Sequence, residues 1–197
     1  MARIVLNPAI QIISGDVGGF IYRQQADGTL ILAKQRLPDP DREPTEAQAQ
    51  QLQRFKEASA RYTRLMENSD TQNAYQQLLT ERGIKYSVRA LVMGDIMGAP
   101  KIDTIDLSHY QGAVGDSVRV LAEDSVGVSR LTLSVYDTTA SQTVESGEKA
   151  FTSQIASTVE WEYTVTVAVP ADHAIEVRVA AYDLAGNQIE KNAAMQH

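Results

Sequence analysis

Val159-Glu160-Trp161-Glu162-Tyr163-Thr164-Val165-Thr166-Val167-Ala168-Val169 decides the fold class of the second half of this chain. Apolar side chains occupy the odd positions and mostly polar ones the even positions. A period of two belongs to a strand, because successive side chains leave opposite faces of the backbone. One apolar and one polar face describe a half-buried antiparallel strand. Trp161 and Tyr163 share their face with Val165, so both read as core. Working outward, Ser117–Ala122, Val128–Tyr136 and Ala174–Ala181 show the same strand character. Weaker runs lie at Ile102–Ile105, Phe151–Ile155 and Gln188–Glu190. Seven short strands separated by turn signals predict an all-β sandwich.

Two of these strands end alike. Val118-Arg119-Val120-Leu121-Ala122-Glu123-Asp124-Ser125-Val126-Gly127 parallels Val177-Arg178-Val179-Ala180-Ala181-Tyr182-Asp183-Leu184-Ala185-Gly186. In each, Asp is placed to cap a tight turn by accepting backbone amides, and Gly three residues on supplies the unusual dihedral. The second copy, continued through Asn187, resembles the strand and Asp-x-Ala-Gly-Asn turn of bacterial immunoglobulin-like and fibronectin-type modules. The resemblance spans residues 102–191 and implies an immunoglobulin-like sandwich. Such modules serve as spacers, adhesion units and virion decorations, so it implies no single activity.

The first hundred residues obey other rules. Ile4–Leu6 and Ile10–Ile13 are β-prone, Ser14-Gly15-Asp16 reads as a turn, and Phe20–Arg23 and Thr29–Ala33 flank Ala26-Asp27-Gly28. Asp-Gly between β-prone runs predicts a hairpin. Phe20, Tyr22, Leu30 and Leu32 give that short ribbon an apolar face it cannot bury alone, which makes them candidate assembly contacts. Pro38, Pro40 and Pro44 stiffen the connector after it. A helix is expected from a cap at Thr45 to about Met66, its stripe carried by Leu52, Phe55, Ala58 or Ser59, Tyr62, Leu65 and Met66. A second helix, capped by Ser69 or Asp70, buries Ala74, Tyr75, Leu78 and Leu79 and stops near Gly83. A third spans about Lys85 to Met97. The glycine-rich hairpin, proline linker and Gln-x-x-x-x-Phe helix are loosely similar to small phage-associated proteins.

Charge separates the halves. Residues 1–100 hold 12 Lys/Arg against 11 Asp/Glu, and residues 101–197 hold 6 against 14. The division expected is therefore 1–100, a hairpin-and-helix α+β region, and 101–197, the sandwich. An acidic second half repels nucleic acid and anionic membrane. No apolar run suits a membrane span or a signal peptide, which points to a cytoplasmic or virion-like setting.

Chemistry is sparse. The chain has no cysteine and three histidines, His109, His173 and His197, none in metal-ligand spacing with another. No Gly-x-Ser-x-Gly elbow is present. Gly15–Gly19 lacks the Lys-Ser/Thr of a phosphate loop and reads as a turn, with an assembly contact as the alternative. Asp103, Asp106, Asp116, Glu123, Asp124 and Asp183 gather at strand ends as solvated turn caps, with a weak Ca²⁺ site as the alternative. Arg54, Lys56, Arg61, Arg64, Arg82, Lys85 and Arg89 interleave with glutamates as a charged helix face. The function expected is that of a non-catalytic structural or protein-interaction protein, without cofactor, that assembles with itself or another protein through its first half. The alternative is a nucleic-acid-associated protein using those basic side chains.

Overall fold

The computed structural model describes residues 15–17, 19–24, 30–35, 43–83, 87–151 and 155–195. They form two compact units, residues 1–47 and 48–197. Within the second unit, residues of the helices share a hydrophobic cluster with Val126 and Ala185.

In the first unit, β1 (Gly15–Val17), β2 (Phe20–Gln24) and β3 (Leu30–Lys34) form an antiparallel meander. Gly15 therefore opens a strand, paired with Tyr22, rather than the expected turn. The reversal falls later, at Gly19, whose φ of 77° suits glycine. Tyr22 pairs with Leu32, and Gln24 with Leu30. Directly paired residues point to the same face, so Phe20, Tyr22, Leu30 and Leu32 share one. Leu30 is buried, Tyr22 and Leu32 are half-buried, and Phe20 is 42% exposed. The expected strands before residue 14, the Asp27-Gly28 turn, and Pro38 and Pro40 lie outside the described residues.

The second unit opens within α1 (Glu46–Leu65), followed by α2 (Ser69–Glu81) and α3 (Val88–Met97). Leu52 and Phe55 begin the expected apolar stripe of α1, yet both are exposed. Burial starts only at Ala58, with Tyr62, Leu65 and Met66 half-buried. The cap of α2 is Asn68, one residue before Ser69 and two before Asp70, the caps expected. Its Oδ1 accepts from the Asp70 amide at 2.8 Å and the Thr71 amide at 3.2 Å. Tyr75 and Leu78 are buried as predicted, and Gly83 comes after the helix at φ 60°.

Then comes a six-stranded, curled antiparallel sheet: β4 (Lys101–Asp106), β5 (Ser117–Asp137), β6 (Gln142–Ala150), β7 (Ala156–Thr164), β8 (Ile175–Asp183) and β9 (Gln188–Ala194). The two strands expected at 117–122 and 128–136 are a single long β5. Its first part pairs with β4 and β7, its last part with β6 and β8, and β9 flanks β8. Register shifts between Glu123 and Arg130 mark the change of partners. Burial changes phase at the same place, from Val118, Val120 and Ala122 to Leu131, Leu133 and Val135. A bulge does this by inserting residues that leave the ladder, which bends the strand and re-aims the side chains beyond it. Both stretches then feed one core with Val159, Trp161, Val165, Val177 and Val179. The weak strand expected at Phe151–Ile155 falls largely on residues 152–154, outside the described residues, and β6 is a strand the sequence does not announce. Its sequence, Gln-Thr-Val-Glu-Ser-Gly-Glu-Lys-Ala, is polar and mostly exposed, so it carries no apolar period to read.

Candidate functional site

Helix α3 explains why a carboxylate is buried here. Leu91, Val92 and Ile96 lie on its buried face, and helical geometry puts Asp95 on that face with them. Asp95 is 1% exposed. Opposite it, the bend of β5 supplies Asp124, 8% exposed, and the end of β8 supplies Asp183, 2% exposed. One carboxylate oxygen from each of the three lies within 4.8 Å of the others.

Two of the three cap turns, as the parallel sequence stretches predict. Asp124 Oδ2 accepts from the Val126 and Gly127 amides at 2.7 and 2.8 Å. Asp183 Oδ1 accepts from the Asn187 amide at 2.6 Å, and Gly186 takes φ 81° within that turn. Both caps are buried, whereas the sequence alone predicts solvated ones. Asp95 caps nothing. Its Oδ2 accepts a short hydrogen bond from the Tyr75 hydroxyl, and its Oδ1 is buried without a hydrogen-bond donor.

Buried charges ordinarily require a partner. At an effective dielectric near 20, two carboxylates at this separation repel by about 3.5 kcal/mol. Burial accordingly pushes the Asp95 carboxyl up to about 7. The Tyr75 hydrogen bond opposes that rise, and the Asp183 and Asp124 charges add to it. The Ala185 amide also favours the charged form without meeting hydrogen-bond geometry. Asp183 is raised by burial, and its hydrogen bonds from Asn187 work against this. Tyr75 is raised by burial and by Asp95.

Asn187 and Arg61 close the cluster on one side. Asn187 Nδ2 reaches the Asp95 carbonyl at 2.7 Å, the Gly98 carbonyl at 2.9 Å and Asp183 Oδ2 at 2.6 Å. Its Oδ1 accepts from the Arg61 guanidinium at 2.7 Å, and Arg61 also donates to the Ala185 carbonyl at 2.7 Å. Arg61 makes these contacts without a direct ion pair to any of the three aspartates. The assembly offers hard oxygen donors and one peripheral cation, which suits holding a metal ion or a proton.

The remaining expected carboxylates lie elsewhere and do local work. Asp106 accepts from the Ser108 amide, Asp116 from the Gln111 and Ala113 amides, and Asp103 and Glu123 pair with Lys101. His109 Nδ1 lies 2.9 Å from Ser108 Oγ, with Asp106 bonded to the serine side of that contact rather than to the imidazole. His173 pairs with Asp137 across the far end of the sheet. Of the basic helix residues, Arg61 and Arg82 donate to main-chain carbonyls. Arg89 lies over the Tyr62 ring and bonds Ser59. These three are therefore engaged within the unit. Arg54 and Arg64 line an open groove of about 680 Å³ beside Glu57 and Asn68, and Lys85 lies outside the described residues. Asp95 is the residue that the sequence alone does not single out. Its one signal is a carboxylate within the apolar run Leu91-Val92-Met93-Gly94-Asp95-Ile96.

No family model and no curated protein matches the chain. Among solved structures, it is similar to the crystal structure of hypothetical protein PH1083 from Pyrococcus horikoshii OT3. The identity is 12% and the TM-score 0.33, over 52% of this chain and 93% of that one. No helix among the described residues is long and apolar enough to cross a membrane.

Proposed function

We propose that this chain is a non-catalytic structural or protein-interaction protein that assembles through its N-terminal ribbon and displays an acidic β-module. The observation that carries the reading is the ribbon's shared face. Phe20, Tyr22, Leu30 and Leu32 lie on it together, with Phe20 exposed, Tyr22 and Leu32 half-buried and Leu30 buried. Among the described residues, β1 and β3 are the outer strands of the ribbon, each with β2 as its strand neighbour. Such strands accept a further strand. The displayed module is immunoglobulin-like in this reading. What supports this is that the first part of β5 groups with β4 and β7, its last part with β6 and β8, and that both parts feed one core. A virion-type assembly would use both properties. The nucleic-acid alternative is weakened by the engagement of Arg61, Arg82 and Arg89 within the unit.

Sedimentation velocity tests this on the full chain, on a Phe20→Asp, Leu32→Asp variant, and on a chain lacking residues 1–37. The expected result is an oligomer that both changes dissociate while the far-ultraviolet spectrum of the sheet persists. A monomeric full chain, or an oligomer of unchanged order after the deletion, would overturn the assignment.

A further inference from the structure

We propose that Asp95, Asp124 and Asp183 bind a hard divalent cation, Ca²⁺ before others, which fastens α3 to the bend of β5 and the turn after β8. The three oxygens come from three separate elements and lie within 4.8 Å of one another. A second observation points the same way. Asp95 is almost wholly buried, and its Oδ1 has no hydrogen-bond donor, so a lone pair is held out of water with nothing to receive it. Proteins rarely leave such an atom unsatisfied without an ion, a water or a strained role to account for it.

The donor chemistry selects the ion. The chain has no cysteine, and the cluster contains no imidazole. Carboxylate-only sites favour Ca²⁺, Mg²⁺ or Mn²⁺ over softer metals. Ca–O distances of about 2.3–2.6 Å put neighbouring ligands about 3.3–3.7 Å apart and opposite ones about 4.6–5.2 Å apart. Oxygens that lie within 4.8 Å of one another can therefore share one Ca²⁺, whose flexible coordination asks less of the site than the near-ideal octahedron of Mg²⁺. Charge agrees with this. Three carboxylates carry three negative charges, and the Arg61 guanidinium, held at the rim by Asn187 and the Ala185 carbonyl, offsets one. A dication offsets the other two. The ribbon takes no part, so this inference stands or falls apart from the assembly reading.

The test uses the full chain freed of metal with EDTA, then titrated with Tb³⁺ at pH 7.5 while tyrosine is excited. Tyr75 donates to Asp95, so its ring sits beside the site and can sensitise emission from the bound ion. The expected result is saturable one-site emission that Ca²⁺ displaces, together with a rise in Tm on adding Ca²⁺. Asp95→Asn should weaken Ca²⁺ at least tenfold. In EDTA the same variant should melt no lower than the wild type, because it removes a buried like charge. Absence of saturable emission, with a melting temperature indifferent to Ca²⁺, would overturn the proposal and leave a cluster that shares a proton. Should Asp95→Asn fail to fold, calorimetric titration of the wild type with Ca²⁺ decides alone, and no heat of binding would overturn it.

Discussion

Arg61 in α1 and Asn187 in the β8–β9 turn stand 126 residues apart in the chain and join through a 2.7 Å hydrogen bond. The same guanidinium holds the Ala185 carbonyl, while Asn187 turns its amide nitrogen to the Asp95 and Gly98 carbonyls. One asparagine therefore ties two helices to a strand turn. Hydrogen bonds with a charged partner contribute about 1.5–3 kcal/mol each when lost from a part-buried site. Arg61→Ala is expected to lower stability by about 2–3 kcal/mol. A double-mutant cycle with Asn187→Ala should return a coupling of about 1 kcal/mol or more in denaturant unfolding. Additivity would show the contact to be incidental.

Gly147 is required for a different reason. It sits in β6 opposite Leu133, and a Cβ there would lie 2.3 Å from the Tyr163 ring. That ring is fixed from two sides, by an edge-on contact with Trp161 at 5.5 Å between centroids and by a 3.0 Å hydrogen bond to Glu145. It has little room to withdraw, and overpacking typically costs about 1–3 kcal/mol. Gly147→Ala should reduce stability by that amount in urea unfolding. A neutral result would mean that the Tyr163 ring moves freely.

A force is legible in the sequence when it leaves a periodic or local trace. Val118, Val120, Val159, Trp161, Val177 and Val179 alternate because one face is buried, and the strands they mark are present, although β7 ends at Thr164, short of the expected Val169. Asp124 and Asp183 are legible as turn caps because a cap works within four residues of itself. Their meeting with Asp95 depends on how α3 packs against the sheet, and no local pattern encodes that. Strand β6 leaves no such trace because its partner is β5 and its own side chains face mostly water. The expected stripe of α1 fails at Leu52 and Phe55, since periodicity shows that a helix can bury a face without saying what covers it.

Trp161 offers the plainest check on the core. It belongs to the cluster of β5, β7 and β8 and is buried despite its size. Truncating a core aromatic typically costs about 3–5 kcal/mol, so Trp161→Ala should lose stability in that range. Fluorescence of the native protein should be blue-shifted and should move red on unfolding. A loss below about 1 kcal/mol would place the indole outside the core.

The last prediction concerns pH and the pair formed by His173 and Asp137, whose Nδ1 and Oδ2 lie 2.5 Å apart. Asp137 ends β5, and its other oxygen accepts from the Ala140 amide at 2.9 Å. That amide first, and then His173, hold the Asp137 carboxyl below its ordinary value. The Asp137 hydrogen bond raises His173 above its ordinary 6.5, against the pull of desolvation. A histidine raised on folding contributes stability that is complete below its unfolded value and disappears as pH climbs through the folded one. The lowered aspartate contributes above its unfolded value near 3.8 and loses that contribution as pH falls through its folded value. The pair is therefore strongest between these limits, in mildly acidic solution. Measured by denaturant unfolding, the advantage of the wild type over His173→Asn should be largest near about pH 5.5, between those two limits, and shrink as pH rises through the raised histidine value. The imidazole proton signal of His173 should titrate above 6.5, and Asp137→Asn should bring it down. An unchanged midpoint in that variant, or an advantage that grows with pH, would show that the two side chains are not coupled through a charged imidazole.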